Sequence, residues 1–358
     1  MSSQLSIRRK VLAAIASMGL NSFGLAQTKK TNVKEIDGHS NYIDVDGITD
    51  PKTQRGLSIR IRLPLEKKKS PLIIYSPGLG SGLSNGQSWC EAWTKAGNIV
   101  VTISHPVTND VIWDTKQITF TNRLQQSLAI SQYDLRVLDC KFVISELLKG
   151  SKSSFLEKGG LLQDNFKLED YIDSDRIGIA GHSYGALTVQ SICGQNGAAM
   201  IDPRIKAAIA FSPGSMTEAS VKKMANVRVP FFCIMGDHDN QVTFKRGAEK
   251  MTLGMPLARR RWVYDHLPRG ARQLWIVSPA DHMTFAGENI DEQSFSRDIP
   301  IELGRQLHTW ERINQVTTLF WNYYLSSQAK TENQKLLLAE YKKAVKNIIS
   351  AKEIIEIS

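Results

Sequence analysis

Residues 176–186 read Arg176-Ile177-Gly178-Ile179-Ala180-Gly181-His182-Ser183-Tyr184-Gly185-Ala186. Residues 176–180 form the short, dense run expected of a strand buried on both faces, and a helical pattern opens at Ala186 and runs to Cys193. Between them stands Gly-His-Ser-Tyr-Gly. A strand-to-helix turn this tight needs small residues flanking the serine two places to either side, so the pentapeptide reads as a nucleophile elbow. The turn lifts the serine oxygen above the sheet, and the helix N-terminus offers backbone N–H groups to a developing oxyanion. Ser183 is the predicted nucleophile.

Further runs surround this one. Leu57 to Leu63 alternates polar and apolar like a half-buried strand. Pro71–Tyr75, Asn98–Ser104, Ile205–Phe211, Val229–Met235 and Leu274–Val277 are denser. Helical patterns lie between and after them, at Gln126–Leu148 and Gly304–Leu325. Alternating strand and helix predicts an α/β fold with a mostly parallel central sheet flanked by helices. Lys149–Asp175, rich in Gly, Ser and Lys, reads as a surface loop, and Phe244–Pro268, rich in Met and Arg, as a helical insertion. The tail Gln334–Ile357 carries Leu338, Tyr341, Val345, Ile348 and Ile349 on one helical face, which predicts a C-terminal amphipathic helix packed on the domain. The main domain is thus read as 41–325, with a helical extension at 326–358.

A serine nucleophile needs a base, and with this elbow the chain order is Ser, acid, His. His39, His105 and His182 are therefore excluded, leaving His238, His266, His282 and His308. His308 falls inside a helix and His266 precedes a strand. His282 falls just past the strand Leu274–Val277, in the loop region where α/β sheets place their sites, and is the predicted base. The acid should follow the preceding strand, which ends in Gly236-Asp237-His238-Asp239. Two carboxylates compete there. Asp237 is still leaving the strand, whereas Asp239 is far enough into the loop to curl toward the base. A metal held by Asp237, His238, Asp239 and His282 is the rival reading, but no HExxH pair or thiolate set accompanies it.

The second oxyanion donor should come from an earlier strand-end loop. Ser76-Pro77-Gly78-Leu79-Gly80-Ser81-Gly82 suits the task, since its glycines let backbone amides approach a ligand. Leu79 and Tyr184 are the predicted N–H pair. A dinucleotide loop is excluded, because Gly-x-Gly-x-x-Gly would need glycine at Leu83.

The chain has 358 residues, 42% hydrophobic and 22% charged, with 45 basic and 35 acidic side chains. This is ordinary globular composition. The net charge of +10 is scattered rather than gathered in a tract, so nucleic acid is not indicated as a partner. Arg8-Arg9-Lys10, the apolar stretch to Ala26 and the small residues Gly24 and Ala26 read as an export signal at 1–26, twin-arginine in type, for a periplasmic or secreted protein. No later stretch is long and apolar enough to span a bilayer. Four cysteines without CxxC spacing allow three full pairings, and Cys233, inside an apolar run, reads as a buried free thiol.

Ser76-Pro-Gly-Leu-Gly, Ser104-His105-Pro106, Gly181-His-Ser-Tyr-Gly-Ala-Leu-Thr and Asp281-His282-Met-Thr-Phe occur here in that order. In this the chain resembles the predicted dienelactone hydrolase group, an α/β-hydrolase branch similar to platelet-activating-factor acetylhydrolases and bacterial polyester hydrolases. The resemblance covers roughly Leu57 to Leu325. It implies an α/β-hydrolase fold and a Ser-Asp-His ester hydrolase needing no cofactor, with its Gly-x-x-Asp pattern falling on Asp239. His105 matches a family position and is read as structural, because it precedes the nucleophile and no acid pairs with it. The expected activity is cleavage of small-molecule or lipid-like carboxylic esters, with lipase and polyester hydrolase as variants. The rival is a non-catalytic binding protein on the same fold.

Overall fold

The computed structural model describes residues 33–36, 39–66, 68–150, 153, 168–215, 217–270, 272–289, 291, 293–326 and 334–357. The export reading at 1–26 and most of the loop read at 149–175 lie outside these residues.

The N-terminal part runs β1 (Val33–Ile36), β2 (His39–Thr49), β3 (Gly56–Arg62), β4 (Ser70–Ser76), α1 (Gln87–Lys95) and β5 (Ile99–Ser104). Then come α2 (Phe120–Ser127), α3 (Ile130–Lys149), β6 (Ile172–His182), α4 (Tyr184–Gln190), β7 (Ile205–Phe211), α5 (Glu218–Lys222) and β8 (Phe231–His238). The remainder is β9 (Gln241–Arg246), β10 (Glu249–Gly254), α6 (Leu257–Asp265), β11 (Arg272–Asp281), β12 (Phe295–Ser296), α7 (Leu303–Tyr324), α8 (Gln334–Ile348) and β13 (Ile354–Ile357).

Among the described residues ten strands form one sheet in the order β1-β2-β3-β5-β4-β6-β7-β8-β11-β13. The stretch from β5 to β11 is parallel throughout. The N-terminal hairpin and β13 add antiparallel edges. The fold is thus α/β, with a mostly parallel central sheet. Successive strand residues point to opposite faces, so each central strand feeds two cores. Leu72, Ile74, Val101, Phe231 and Cys233 pack on one side with Val137 of α3, Val189 of α4 and Val263 of α6. Ile73, Tyr75, Val100, Phe232 and Ile234 pack on the other with Trp89 and Trp93 of α1, Phe320 of α7 and Val345 of α8. Each such side chain, fully buried, contributes ~1.5–3 kcal/mol.

β5 and β6 flank β4, so the chain turns outward in opposite directions from the middle of the sheet. A crevice opens at the carboxyl ends of the strands at such a point. The loop after β4 and the turn after β6 both end there.

Several expectations are corrected. Phe244–Pro268 is not one helical insertion: β9 and β10 form a hairpin closed by Gly247-Ala248, and only Leu257–Asp265 is helical. Val242 and Phe244 are buried between neighbours that are half-buried or exposed, which is strand alternation rather than helical spacing. With β12, the hairpin makes a separate three-stranded sheet. The helical pattern at Gln126–Leu148 divides into α2 and α3 around Leu128 and Ala129. The C-terminal extension is more than a helix, since β13 joins the main sheet beside β11, and the sheet also reaches upstream of residue 41 through β1. Glu353 ties this end down: it takes a double hydrogen bond from Arg312 at 2.8 Å and accepts from the Ser278 amide at 2.9 Å.

Candidate active site

Ser183 stands between β6 and α4 with φ 55° and ψ −112°, a left-handed backbone rare for a residue with a side chain. Its neighbours explain how the turn closes. A Cβ on Gly181 would lie 2.5 Å from the Gly185 carbonyl oxygen and 2.8 Å from that of Ser76. A Cβ on Gly185 would overlap the Ser76 carbonyl itself. Elbow and β4-end loop are thus packed backbone against backbone, which is why both flanking positions are glycine.

Ser183 Oγ lies 2.8 Å from His282 Nε2, and His282 Nδ1 lies 2.8 Å from Asp239 Oδ1. His282 opens the short turn after β11, where Asp281 caps the amide of Thr284. Asp239 is fully buried, His282 nearly so, and Ser183 partly open to solvent. The structure therefore brings together the predicted nucleophile, base and acid. Asp237 is directed elsewhere: it accepts from Ser278 Oγ at 2.6 Å and the Ala280 amide at 3.0 Å, and it pairs with His238 at 2.9 Å. It braces the end of β8 against the chain leading to His282. His238, His266 and His308 make no contact with Ser183. Among the described residues no group of three or more His, Cys, Asp or Glu is placed to hold a metal ion.

Leu79 sits in the loop after β4, and its N–H meets no acceptor among the described residues. Tyr184 opens α4, where a first-turn N–H has no intrahelical partner. Both predicted oxyanion donors thus border the serine turn with unused amides. The loop carrying Leu79 is held by bonds from Gly80 N–H to the Thr108 carbonyl at 2.9 Å and from Trp113 Nε1 to the Gly80 carbonyl at 2.8 Å.

Sequence reading missed Arg260 on α6. Its buried guanidinium lies 3.0 Å from Asp239 Oδ1, donates to the Asp239 carbonyl at 2.7 Å and to that of Ser212 at 3.0 Å, and reaches within 3.2 Å of His282 Nδ1. Burial works against the Asp239 charge, yet Arg260 and then His282 outweigh it and hold the carboxyl below the usual carboxylate range. His182, excluded as a base, places its Nε2 3.0 Å from the carbonyl of His282 and so braces His282 from behind. Burial, aided by the neighbouring His282, lowers its pKa well below the usual histidine value and keeps it neutral.

His105 needs a correction: an acid does pair with it. Its Nδ1 lies 2.9 Å from Asp139 Oδ2 and its Nε2 3.0 Å from Ser76 Oγ, all out of solvent. Asp139 sits on α3, a turn of chain whose charged residues give no sequence sign of facing inward. The cysteines resolve simply, since Cys90, Cys140, Cys193 and Cys233 are all buried free thiols.

A roof lies over this site. Phe120 of α2, Val242 and Phe244 of β9 and Met283 pack with Leu79 and Tyr184 in one apolar cluster. Glu249 of β10 ties roof to helix by accepting from the Phe120 and Thr121 amides at 3.3 and 3.0 Å. Beside it opens a cleft of about 610 Å³, walled by Gly80, Ser81, Asn109, Trp113, Met283 and Glu288 among others. It begins one residue beyond Leu79 and one beyond His282. No family model matches the chain, and no curated protein is similar to it at a significant level.

Proposed function

We propose that the protein is a serine hydrolase of carboxylic esters on an α/β-hydrolase fold, working through an acyl-enzyme. The observation that carries this reading is the unbroken chain Ser183 Oγ–His282 Nε2, His282 Nδ1–Asp239 Oδ1, with both links at 2.8 Å, at a strained turn beside two unused amides. His282 Nε2 takes the proton of Ser183 as its oxygen attacks the ester carbonyl, and Asp239 holds the Nδ1–H tautomer that leaves Nε2 free to accept it. The tetrahedral oxygen carries the developing charge toward the Leu79 and Tyr184 N–H groups. His282 then returns the proton to the leaving alcohol, and the acyl group stays on Ser183 until a water, activated the same way, releases the acid. None of these steps requires a cofactor. The order of motifs that resembles the predicted dienelactone hydrolase group supports the same reading, and the cleft beside the Leu79 loop gives room for the rest of a small ester.

A fluorophosphonate probe tests it. Ser183 should be labelled, Ser183→Ala should not, and turnover of p-nitrophenyl acetate should vanish with the label. A folded wild-type protein that neither labels nor turns over any of a series of p-nitrophenyl esters would instead be a binding protein. The same series, taken through increasing chain length, separates small-acyl esterase from lipase. The export reading is carried as a proposal with it, and a mature chain starting near Gln27 on N-terminal sequencing is its expected result.

A further inference from the structure

Arg136 is a fully buried arginine on α3 whose contacts converge on the oxyanion donors. Its Nη2 donates to the Pro77 carbonyl at 2.5 Å and to Ser76 Oγ at 2.9 Å, two and three residues before Leu79. Its Nε donates to Thr188 Oγ1 at 3.0 Å, one turn along the helix that Tyr184 opens. Its guanidinium carbon lies 4.8 Å from the centre of the Tyr184 ring, within range of a cation–π attraction. Its Nη1 donates to Thr108 Oγ1 at 2.7 Å, and the Thr108 carbonyl holds the Gly80 amide. One cation therefore touches the peptide segment behind Leu79, the side chain of Tyr184 and the brace of the loop that follows.

A buried arginine is costly unless its donors are met and a counter-charge is near. The counter-charge here is Asp139, reached through a relay. Arginine only donates, so Ser76 Oγ accepts from Arg136 and turns its own hydrogen to His105 Nε2 at 3.0 Å. That makes Nε2 the acceptor and leaves the ring proton on Nδ1, which donates to Asp139 Oδ2 at 2.9 Å. Arg55 closes the far end with a double hydrogen bond to Asp139 at 2.8 and 2.9 Å. Burial, and after it the Arg136 charge, bring the His105 pKa down to about 4, in keeping with a neutral link between two ions.

We propose that Arg136, ordered by the Ser76–His105–Asp139 relay, is the positioning residue of the oxyanion hole, setting the Leu79 and Tyr184 amides in register with each other. Either donor alone is fixed by its own element. Their mutual spacing is a property of two separate segments, and Arg136 is hydrogen-bonded to both. Loss of one oxyanion donor costs ~10²–10³-fold in kcat, so loosening the pair should cost ~10–10²-fold. Because the hole is used in the transition state and not in the first encounter, kcat should carry the loss.

The inference rests on the ester-hydrolase reading. The test compares wild type with Arg136→Met, Arg136→Lys and Ser76→Ala on p-nitrophenyl acetate, with thermal melts alongside. Affinity for phenylboronic acid is measured in parallel. Its boron accepts an electron pair from Ser183 Oγ, the serine proton passes to His282, and the resulting tetrahedral anion fills the hole. Expected are a kcat down ~10²-fold in Arg136→Met with KM within ~3-fold, a boronate Ki raised by a similar factor, and partial recovery in Arg136→Lys. Should Arg136→Met not fold, Ser76→Ala is judged by the same pairing of kcat with Ki, at about tenfold. A folded Arg136→Met with wild-type kcat overturns the proposal, as does a fall in kcat with the boronate Ki unmoved. A wild type inert to probe and ester removes both readings, whereas an active wild type matched by its Arg136 variants removes only this one.

Discussion

Changing Asp239 to Asn keeps the shape of the side chain and removes its charge. Asp239 Oδ1 accepts from His282 Nδ1 at 2.8 Å, so a carboxylate there fixes the imidazole proton on Nδ1 and leaves Nε2 to accept from Ser183. An amide can present its NH₂ to Nδ1 instead, which moves the ring proton to Nε2 and points it at Ser183 Oγ. The base then holds the proton it should receive. The expected loss is ~10⁴-fold in kcat, about 5 kcal/mol of activation free energy. Stability should fall too, because Arg260 loses an ionic partner at 3.0 Å in a buried site. Breaking a buried pair costs ~3–5 kcal/mol, and the low end applies because Arg260 keeps the carbonyls of Asp239 and Ser212 as acceptors. Asp237→Asn is the control. Its amide can still accept from Ala280 N–H and donate to Ser278 Oγ, so turnover should stay within about fivefold of wild type. Both variants are assayed with p-nitrophenyl acetate, and fluorescence melts verify folding. A dead Asp237→Asn beside a healthy Asp239→Asn would refute the assignment and the tautomer argument together.

Other consequences follow from packing and charge. Gly185→Ala should fail to fold or lose more than ~3 kcal/mol, since its methyl would overlap the Ser76 carbonyl; urea titration of whatever is soluble measures it. The lowered pKa of His105 gives a pH dependence: a group depressed on folding contributes its full stability above its unfolded value of ~6.5 and loses it as pH falls through about 4. The unfolding free energy from urea titration should therefore fall between pH 6.5 and 4, by up to ~3 kcal/mol more in wild type than in His105→Gln. Burial pushes the Cys90 thiol up to about 11, and the other three cysteines are equally enclosed, so native protein at pH 8 should resist iodoacetamide and the unfolded chain take up four equivalents by mass.

What the sequence made legible was what depends on neighbours along the chain. The turn at Ser183 could be read because the glycines at 181 and 185 answer a local steric demand, and the place of His282 beside it because the expected chain order left few histidines to choose from. Asp239 over Asp237 was decided by two residues of reach into a loop, again a local matter. Arg136, Asp139 and Arg260 were not legible. Each is a charged residue in a helix with other charged residues, and inward orientation is set by partners 28 to 60 positions away in one case and by the fold of an insertion in another. The β9–β10 hairpin was misread because its strands are short and were read together with the Arg-rich helix Leu257–Asp265, although Val242 and Phe244 already alternate. β13 gave too few residues for any period to show.

The roof hairpin begins at Gln241, two residues after Asp239, and its last strand runs out at Gly254, six residues before Arg260. It is closed at its base by the Met255 amide donating to the Asn240 carbonyl at 2.6 Å, while Asn240 Oδ1 accepts from Leu257 and Asp298 accepts from the Asn240 and Gln241 amides. Distal to that knot, Val242 and Phe244 pack with Leu79 and Tyr184, Glu249 holds α2, and only the turn between the strands stands clear. The exposed turn Arg246-Gly247-Ala248 can change in length or composition while Val242, Phe244 and the anchors of Asp239 and Arg260 stay where they are. Variation among descendants of this chain, and grafts made at the bench, have a place to alter what reaches the serine without renegotiating the geometry beneath it.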